Sequence, residues 1–400
     1  MEASEHLYVG NSIQLTVANG DTTPASGVAL ELNSGPLTYG YIVALGGDFY
    51  GTPDITPISN AANPAEAVVA FKQAFATLDN ANAAERNQIT DVIKEEVAAV
   101  NTAIGNGQPP STAFDSDHLG DSLSCKWNAI TYHGNWPIAN TYLGQLAAVL
   151  AGIWGRYLDL AAGNLDHFGD DAWTAYVAGH TAALEQAKSL HGQPGSSLTT
   201  QKGLRIAYAM NAFADHFLTD LFAGGHSRTP RRELNGLDGV SLTARGILSK
   251  AMHGEDNQNG VLYVNRADST DTWVAYGDGR VRNPENQANL QRVTTAVQRS
   301  ADLVYGAYLN GYYDSTHGPM LELIPIAGGM DGPGTPTQGP QIRTAPLFCI
   351  DSYRHVYCRN TLSDPADYTY AHDWSPTATA GQIVARDYLG IGAKSVPLPV

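Results

Sequence analysis

The sequence contains few charged residues and very few cysteines. Of its 400 residues, 16% are Asp, Glu, Lys or Arg, and only three are Cys. Three cysteines are too few for a disulfide scaffold, and none of them belongs to the CxxC pairs of a thiolate zinc site. A bound metal would therefore need His and carboxylate ligands. The sequence has no apolar run of about 18 residues, so it predicts no membrane-spanning helix.

Basic residues are scarcer than acidic ones. The chain has 23 Lys and Arg against 39 Asp and Glu, which gives a formal net charge of −16. Such a charge opposes general adsorption to nucleic acid phosphates, because that adsorption needs a basic surface. It does not oppose a polyanionic substrate that is held through bound metal, since a metal cluster reverses the local field.

Apolar residues make up 43% of the chain and recur mainly at helical spacing. The segments with this pattern are 64–104 (two helices), 140–162, 170–190, 201–222 and 283–310. From residue 311 onward Gly and Pro become frequent, and the remaining sequence alternates like short strands and loops. We therefore predict a mostly α fold, with a helical domain over 1–310 that contains an inserted helical hairpin and loop at about 60–160. A smaller strand-and-loop region of unknown role is predicted over 311–400.

Residues 207–232 carry most of the candidate chemistry, in the sequence AYAMNAFADHFLTDLFAGGHSRTPRR. His216 and Asp220 are four residues apart, which places an imidazole and a carboxylate on one helix face, where a single cation can bridge them. His226 follows two glycines that can end the helix and turn the chain back toward the same pocket. A surface ion pair is the competing interpretation, but the phenylalanines and leucines around the pair predict that part of this helix is buried.

The pattern His216-x3-Asp220-x5-His226 resembles the central metal motif of the zinc-dependent phospholipases C. These enzymes share a superfamily with the single-strand-specific zinc nucleases, and the resemblance is strongest to bacterial phospholipase C-like members. The resemblance implies a mostly helical fold that holds a cluster of two to three zinc ions.

The resemblance also implies a set of ligands, because residues of the expected types follow in the order of the family. One zinc would be held by Asp48, His167, His216 and Asp220, a second by His226, His253 and Asp256, and a third by Asp220 and His6. Asp48 would in addition be the general base for the attacking water.

Two departures from the family pattern affect this set. Five residues precede His6, whereas in the family the amine and carbonyl of the first mature residue bind the third zinc. Glu5 or Glu2 could substitute for that ligand. The family's acid one helical turn after the second-zinc His is replaced by Asn257. Asp256 is the nearest acid on the same face of a helix and is the predicted substitute.

The activity that the resemblance implies is phosphodiester hydrolysis. Paired divalent metals offset the charge of a phosphodiester, lower the pKa of a bound water and stabilise the pentacoordinate transition state. We expect a phospholipase C that cleaves glycerophospholipids to diacylglycerol and a phosphorylated headgroup. Its substrate would be a phospholipid membrane surface or micellar lipid, and no stable nucleic-acid partner is expected.

Two other functions stay open at this stage. A single-strand nuclease or 3′-nucleotidase would use the same zinc ligands, although the acidic composition favours lipid. A non-catalytic binding module with structural metals is the second alternative. Arg228, Arg231 and Arg232 are either solvated or neutralise a phosphate or an anionic headgroup.

The location of the protein is inferred from the resemblance, which implies a secreted or translocated protein. Cys349 and Cys358 lie close in sequence, and a local disulfide between them would favour an oxidising compartment. Two unpaired thiols are the alternative.

Overall fold

The computed structural model describes residues 1–52, 57–115, 119–134, 155–327, 348–350, 356–359, 368–370 and 375–387. It is mostly helical, with 64% helix and 7% strand, which confirms the predicted fold class. None of the described helices is long and apolar enough to cross a membrane.

The helices and strands have the following bounds. The helices are Ala3–Asn11, Tyr39–Leu45, Pro64–Asp79, Ala83–Gly105, Thr112–Asp115, Leu119–Thr131, Arg156–Gly163, Gly169–Lys188, Leu198–Asp220, Gly224–Arg228, Arg231–Asn235, Leu242–Asn259, Gln287–Asn310, Gly318–Leu321 and Pro376–Asp387. The strands are Gln14–Thr16, Thr22–Pro24, Val261–Val264, Thr272–Ala275, Ile326–Ala327, Phe348–Ile350, Val356–Arg359 and Tyr368–Tyr370. They pair as three small antiparallel sheets.

The predicted hairpin near the start of the insertion is present as two helices. Pro64–Asp79 begins after Asn63, whose side chain accepts from Glu66 N, and Ala83–Gly105 begins after the similar cap Asn82. In the segment predicted as a helix over 140–162, the described residues contain the helix Arg156–Gly163. The first part of that prediction lies outside the described residues.

The central helix, Leu198–Asp220, is surrounded by other helices. It packs mainly against Gly169–Lys188 and also contacts Tyr39–Leu45 and Gln287–Asn310. Small residues permit the closest approach, because a Cβ on Gly179 would lie 2.6 Å from the Cβ of Ala214. From Ala207 to Asp220 every residue except Met210 is buried, which explains why this part of the sequence is mostly apolar.

The N-terminal helix, Ala3–Asn11, crosses Tyr39–Leu45 at a glycine contact. A Cβ on Gly10 would lie 2.7 Å from the Cα of Gly40, so the two backbones touch there. Seven of the nine residues of the N-terminal helix are buried, and three of these seven are polar, namely Ser4, Glu5 and His6. Buried polar side chains need partners, and the partners of this helix lie in the candidate site described below.

Described parts of the C-terminal region contact the helical core. Ile326–Ala327 pairs with Val261–Val264, and Pro376–Asp387 packs through Ala380 and Ile383 against Leu242–Asn259. In another sheet of this region, Phe348–Ile350 pairs with Val356–Arg359. These strands contain the two cysteines considered for a bridge, but the side chains concerned lie outside the described part of the chain.

Candidate metal centre

The candidate metal centre lies at the C-terminal end of the central helix, where several segments of the chain converge. Four overlapping groups of side chains place their ligand atoms within 4.8 Å of one another. The groups are His6, His216 and Asp220; Asp48, His167 and His216; His167, Asp220 and His226; and His226, His253 and Asp278. The structure therefore brings together all the predicted ligands except Asp256, and it adds Asp278.

The glycines after the central helix bring His226 into the cluster. A Cβ on Gly225 would lie 2.3 Å from the carbonyl oxygen of His253, and a Cβ on Gly224 would lie 2.8 Å from that of Ala275. The turn therefore passes too close to its neighbours for any larger residue. As a result His226 and His253 stack edge to face, with 4.6 Å between their ring centroids.

Asp220 is the carboxylate that the groups share. Its Oδ1 lies 3.5 Å from His6 Nε2, and its Oδ2 lies 2.8 Å from His167 Nδ1 and 3.5 Å from His216 Nε2. Burial alone would raise the pKa of Asp220, but the nearby imidazoles, His226 first, and the Met1 amino group hold it well below its usual range. Asp220 is thus a buried anion with imidazoles on several sides, as a ligand that bridges two cations would be.

Two imidazoles are held so that one ring nitrogen faces the cluster. Thr219 Oγ1 donates to backbone carbonyls of its own helix, so it accepts from His6 Nδ1 at 2.8 Å. His216 Nδ1 donates to Val43 O at 2.8 Å. With Nδ1–H used in this way, the Nε2 lone pair of each ring is available to a metal. Among the described residues, His6 Nε2 is a buried nitrogen without a hydrogen-bond partner.

A third imidazole, that of His226, is held in the same way. His226 Nδ1 lies 3.0 Å from the carbonyl oxygen of His167 and donates to it, which leaves Nε2 toward Asp278. Burial lowers the pKa of His216 to about 4, and that of His253 to about 3. Neutral imidazoles at neutral pH are the form that binds metal, so little proton competition is expected at these two rings.

The cluster is also a place where positive charge is held. The amino nitrogen of Met1 donates to Asp220 Oδ1 at 2.8 Å and lies 3.2 Å from Asp278 Oδ1 and 3.3 Å from His226 Nε2. Burial lowers the pKa of His167, but Asp220 outweighs it, so that this pKa is raised. The Met1 ammonium group and the proton between His167 and Asp220 thus occupy positions beside the carboxylates of the cluster. A divalent cation would fit at such positions.

Asp48 forms the solvent edge of the cluster. Its side chain is 32% exposed, and its carboxylate oxygens lie 3.9 Å from His167 Nδ1 and 3.9 Å from His216 Nε2. It follows Gly47, whose φ of +71° is in the left-handed region that favours glycine. Of the predicted ligands brought together here, Asp48 is the most accessible carboxylate and the one that a water molecule from solvent reaches first.

The prediction that Asp256 is a ligand needs correction. Asp256 is fully buried, and both of its oxygens accept from the guanidinium of Arg228, one of them from Nε at 2.8 Å. Three residues after His253, its side chain is turned by about 60° around the helix, which is enough to face a different neighbour. Asp256 therefore neutralises a buried arginine and takes no part in the cluster.

Asp278, and not Asp256, is the acid that lies beside His253 in the cluster. Its Oδ2 lies 3.2 Å from His253 Nε2, and its Oδ1 lies 3.6 Å from His226 Nε2. Asn257, which stands at the place of the family's acid, instead accepts from Gly225 N at 2.7 Å and lies 3.1 Å from His253 Nε2. The sequence reasoning missed Asp278, and its only local signal is the pair of glycines around it, similar to the glycines before Asp48.

The remaining arginines of the central segment are also engaged within the protein. Arg231 donates to Asn164 Oδ1 and to carbonyl groups at the end of the helix Arg156–Gly163. Arg232 donates to both oxygens of Asp171 at 2.8 and 3.0 Å. These contacts favour a role in the scaffold over the phosphate-binding role considered from the sequence.

An open cleft lies beside the cluster, next to Gly47 and His167. Most of its lining is apolar or aromatic, and His167 is the member of the metal cluster that it reaches. The lining includes Gly47, Tyr50, Ile58, Leu160, Phe213 and Phe217. A ligand with an apolar part would fit this arrangement.

Comparisons of the chain with protein-family models, with curated proteins and with solved structures found no match.

Proposed function

We propose that the protein is a zinc-dependent phosphodiester hydrolase, and that it acts as a phospholipase C on glycerophospholipids. The observation that carries this proposal is the set of overlapping His and carboxylate groups that share Asp220. Imidazoles whose other ring nitrogen is already bonded, as in His6, His216 and His226, next to carboxylates are the donor set that suits zinc.

The chain's own residues would hold two to three zinc ions. Asp48, His167, His216 and Asp220 would hold one ion, His226, His253 and Asp278 a second, and His6 with Asp220 a third. Bound zinc ions would offset the charge of the phosphodiester and lower the pKa of a water molecule.

Asp48 is the proposed general base. It is the exposed carboxylate at the edge of the cluster, so it can accept a proton from a water molecule that approaches the phosphate. The contacts of His6 and His216 with Thr219 and Val43 fix their rings, which keeps the site ordered as substrate binds. The cleft beside the cluster would hold the apolar side of the substrate, and water would be excluded there.

Two features favour lipid over nucleic acid. The net charge is −16, and the three arginines of the central segment are bonded within the protein, so they offer no basic surface for a polynucleotide. A nuclease or 3′-nucleotidase is the second candidate, because it would use the same His and carboxylate groups.

The test is diacylglycerol release from mixed phosphatidylcholine and phosphatidylglycerol vesicles, with and without a zinc chelator. We expect release that the chelator abolishes and that Asp220→Asn reduces by at least about 100-fold, because a shared ligand is lost. Single-stranded DNA is assayed in parallel. Cleavage of DNA without lipid hydrolysis would favour the nuclease, and zinc binding without either activity would favour the non-catalytic module.

Asp215→Asn is the matched control for this variant. Asp215 is a fully buried carboxylate on the same helix, but it accepts from Tyr39 and Ser300 and lies in none of the metal groups. Burial raises its pKa to about 8, so the neutral Asn resembles the form that is present at neutral pH. Activity should survive this change. Equal losses in both variants would point to damage of the helix and contradict the ligand assignment.

A further inference from the structure

The loop that carries Asp278 contains a β-turn, which Arg280 N closes by donating to the carbonyl oxygen of Gly277 at 2.8 Å, but no helix or strand anchors that turn to the rest of the fold. It lies between the strand Thr272–Ala275 and the turn Pro284–Asn286, and Asp278 stands between two glycines. Gly279 has a φ of +76°, a conformation that costs other residues free energy. The position of the Asp278 carboxylate therefore depends on contacts that the loop makes with other segments.

Glu5 supplies the main contacts on one side of this loop. Its Oε2 accepts from Gly279 N at 3.1 Å, and its Oε1 accepts from Val281 N at 2.7 Å. On the other side, Gly277 N donates to the carbonyl oxygen of Asn257 at 3.1 Å. The backbone is thus held at Gly277, directly before Asp278, and at Gly279, directly after it. The contact at Gly279 comes from Glu5, near the start of the chain.

Glu5 also caps its own helix, and this capping does not require the hydrogen bonds from the Asp278 loop. Glu5 closes a capping box by accepting from Glu2 N at 3.1 Å, which uses one oxygen. Glu5 is only 3% exposed, so its carboxylate has left water and needs several donors to offset the cost of burial. Two of its three donors are backbone groups of the Asp278 loop.

We propose that Glu5 is a positioning residue for Asp278, and this inference rests on the proposed metal site. The N-terminal helix directs His6 toward Asp220 and Glu5 toward the Asp278 loop. The N-terminal helix thereby sets the distance between the end of the cluster at Asp220 and the end at His253. Both oxygens of Glu5 are used by N–H groups, so Glu5 acts on the metal through Asp278 and is not a ligand itself.

Zinc affinity tests the proposal without any substrate. Purified full-length protein is titrated with zinc against a chromophoric chelator, for wild type and for Glu5→Gln. The Gln side chain has one acceptor oxygen, and its amide group would face a backbone N–H as a second donor. We expect one zinc to be bound about 10–100-fold more weakly, with the other sites retained.

Glu96→Gln is the matched control. Glu96 is a fully buried glutamate that accepts from Ser4 N, the neighbour of Glu5, and none of its described hydrogen bonds goes to the Asp278 loop. The zinc binding of the Glu96→Gln variant should equal that of wild type. Equal weakening in both glutamate variants would overturn the proposal, since a general effect of the N-terminal helix would then explain the loss.

A double-mutant cycle separates positioning from simple destabilisation. If Glu5 acts through Asp278, Glu5→Gln weakens zinc binding in the wild-type background but causes no further loss when Asp278→Asn is present. Additive losses would overturn the proposal, as would unchanged zinc binding in Glu5→Gln. If Glu5→Gln does not fold, Glu5→Asp is used, because its shorter side chain cannot reach both loop N–H groups.

The zinc-binding experiments and the activity test can fail independently of each other. A wild-type protein that binds zinc, responds to Glu5→Gln as expected and hydrolyses no phosphodiester would refute the proposed function and leave the role of Glu5 standing. A wild-type protein that binds no zinc would overturn both.

Discussion

At the scale of single residues, the same side chain serves different purposes according to what it faces. Asp256 faces the guanidinium of Arg228, whereas Asp278 faces the imidazoles of His253 and His226. A carboxylate opposite a fixed cation has its charge already compensated. Asp278 also lies 3.2 Å from the Met1 amino group, but its imidazole neighbours can bind a metal, which makes Asp278 the better candidate ligand.

Asp256→Asn should therefore reduce stability and leave zinc binding intact. The change removes the Asp256 carboxylate from its buried ion pair with Arg228, for which a loss of about 3–5 kcal/mol in the free energy of unfolding is expected. Urea unfolding measures that loss, and zinc stoichiometry is determined below the unfolding transition. A variant that is as stable as wild type but binds less zinc would show that Asp256 is a ligand after all.

At the scale of elements, short glycine-containing turns bring the ligands together. Gly47 precedes Asp48, and a Cβ at this position would lie 2.7 Å from His216 Cδ2 and 2.8 Å from His167 Cε1. The turn packs directly on the two imidazoles that would share a zinc with Asp48. Its backbone therefore fixes the positions of three proposed ligands at once.

Gly47→Ala should weaken zinc binding at this site by about 10-fold or more, because the added methyl group displaces both rings. Gly107→Ala is the control. Gly107 also has a positive φ, +72°, but a Cβ there would have no neighbour within 4 Å. Both variants carry a similar backbone strain of about 1 kcal/mol, so the difference in zinc affinity reports the contact alone. Equal zinc affinities in the two variants would contradict the proposed packing.

At the scale of the whole molecule, the core contains a group of buried ionisable residues. His6, His216 and Asp220 are 0% exposed and lie within a largely apolar surrounding. Burial of such groups is unfavourable unless they are paired, so a bound cation should stabilise the folded state more than the unfolded state.

Removal of zinc should therefore lower the melting temperature. Zinc at about 1,000 times its dissociation constant would add roughly 4 kcal/mol to the free energy of unfolding. Thermal unfolding with and without a chelator measures this effect, and Asp220→Asn should show a much smaller difference. A melting temperature that the chelator does not change would argue that the cluster binds no metal.

The sequence by itself determined several of the long helices and the central pair of candidate ligands. His216 and Asp220 lie on one helix, where the distance between residues four apart is fixed by the helical repeat. The same local periodicity predicted the two helices of the hairpin, and the apolar residues around the pair predicted its burial. These features depend on neighbours in sequence, and therefore a single sequence contains them.

Only the tertiary structure decided which acid joins His253. Asp256 and Asp278 are both near in sequence, and the choice depends on where Arg228 and the glycine loop lie in space. Likewise, the contact of Glu5 with Gly279 joins residues 274 positions apart. No helical or strand periodicity extends over such a separation, because these positions are set by the packing of whole elements against one another.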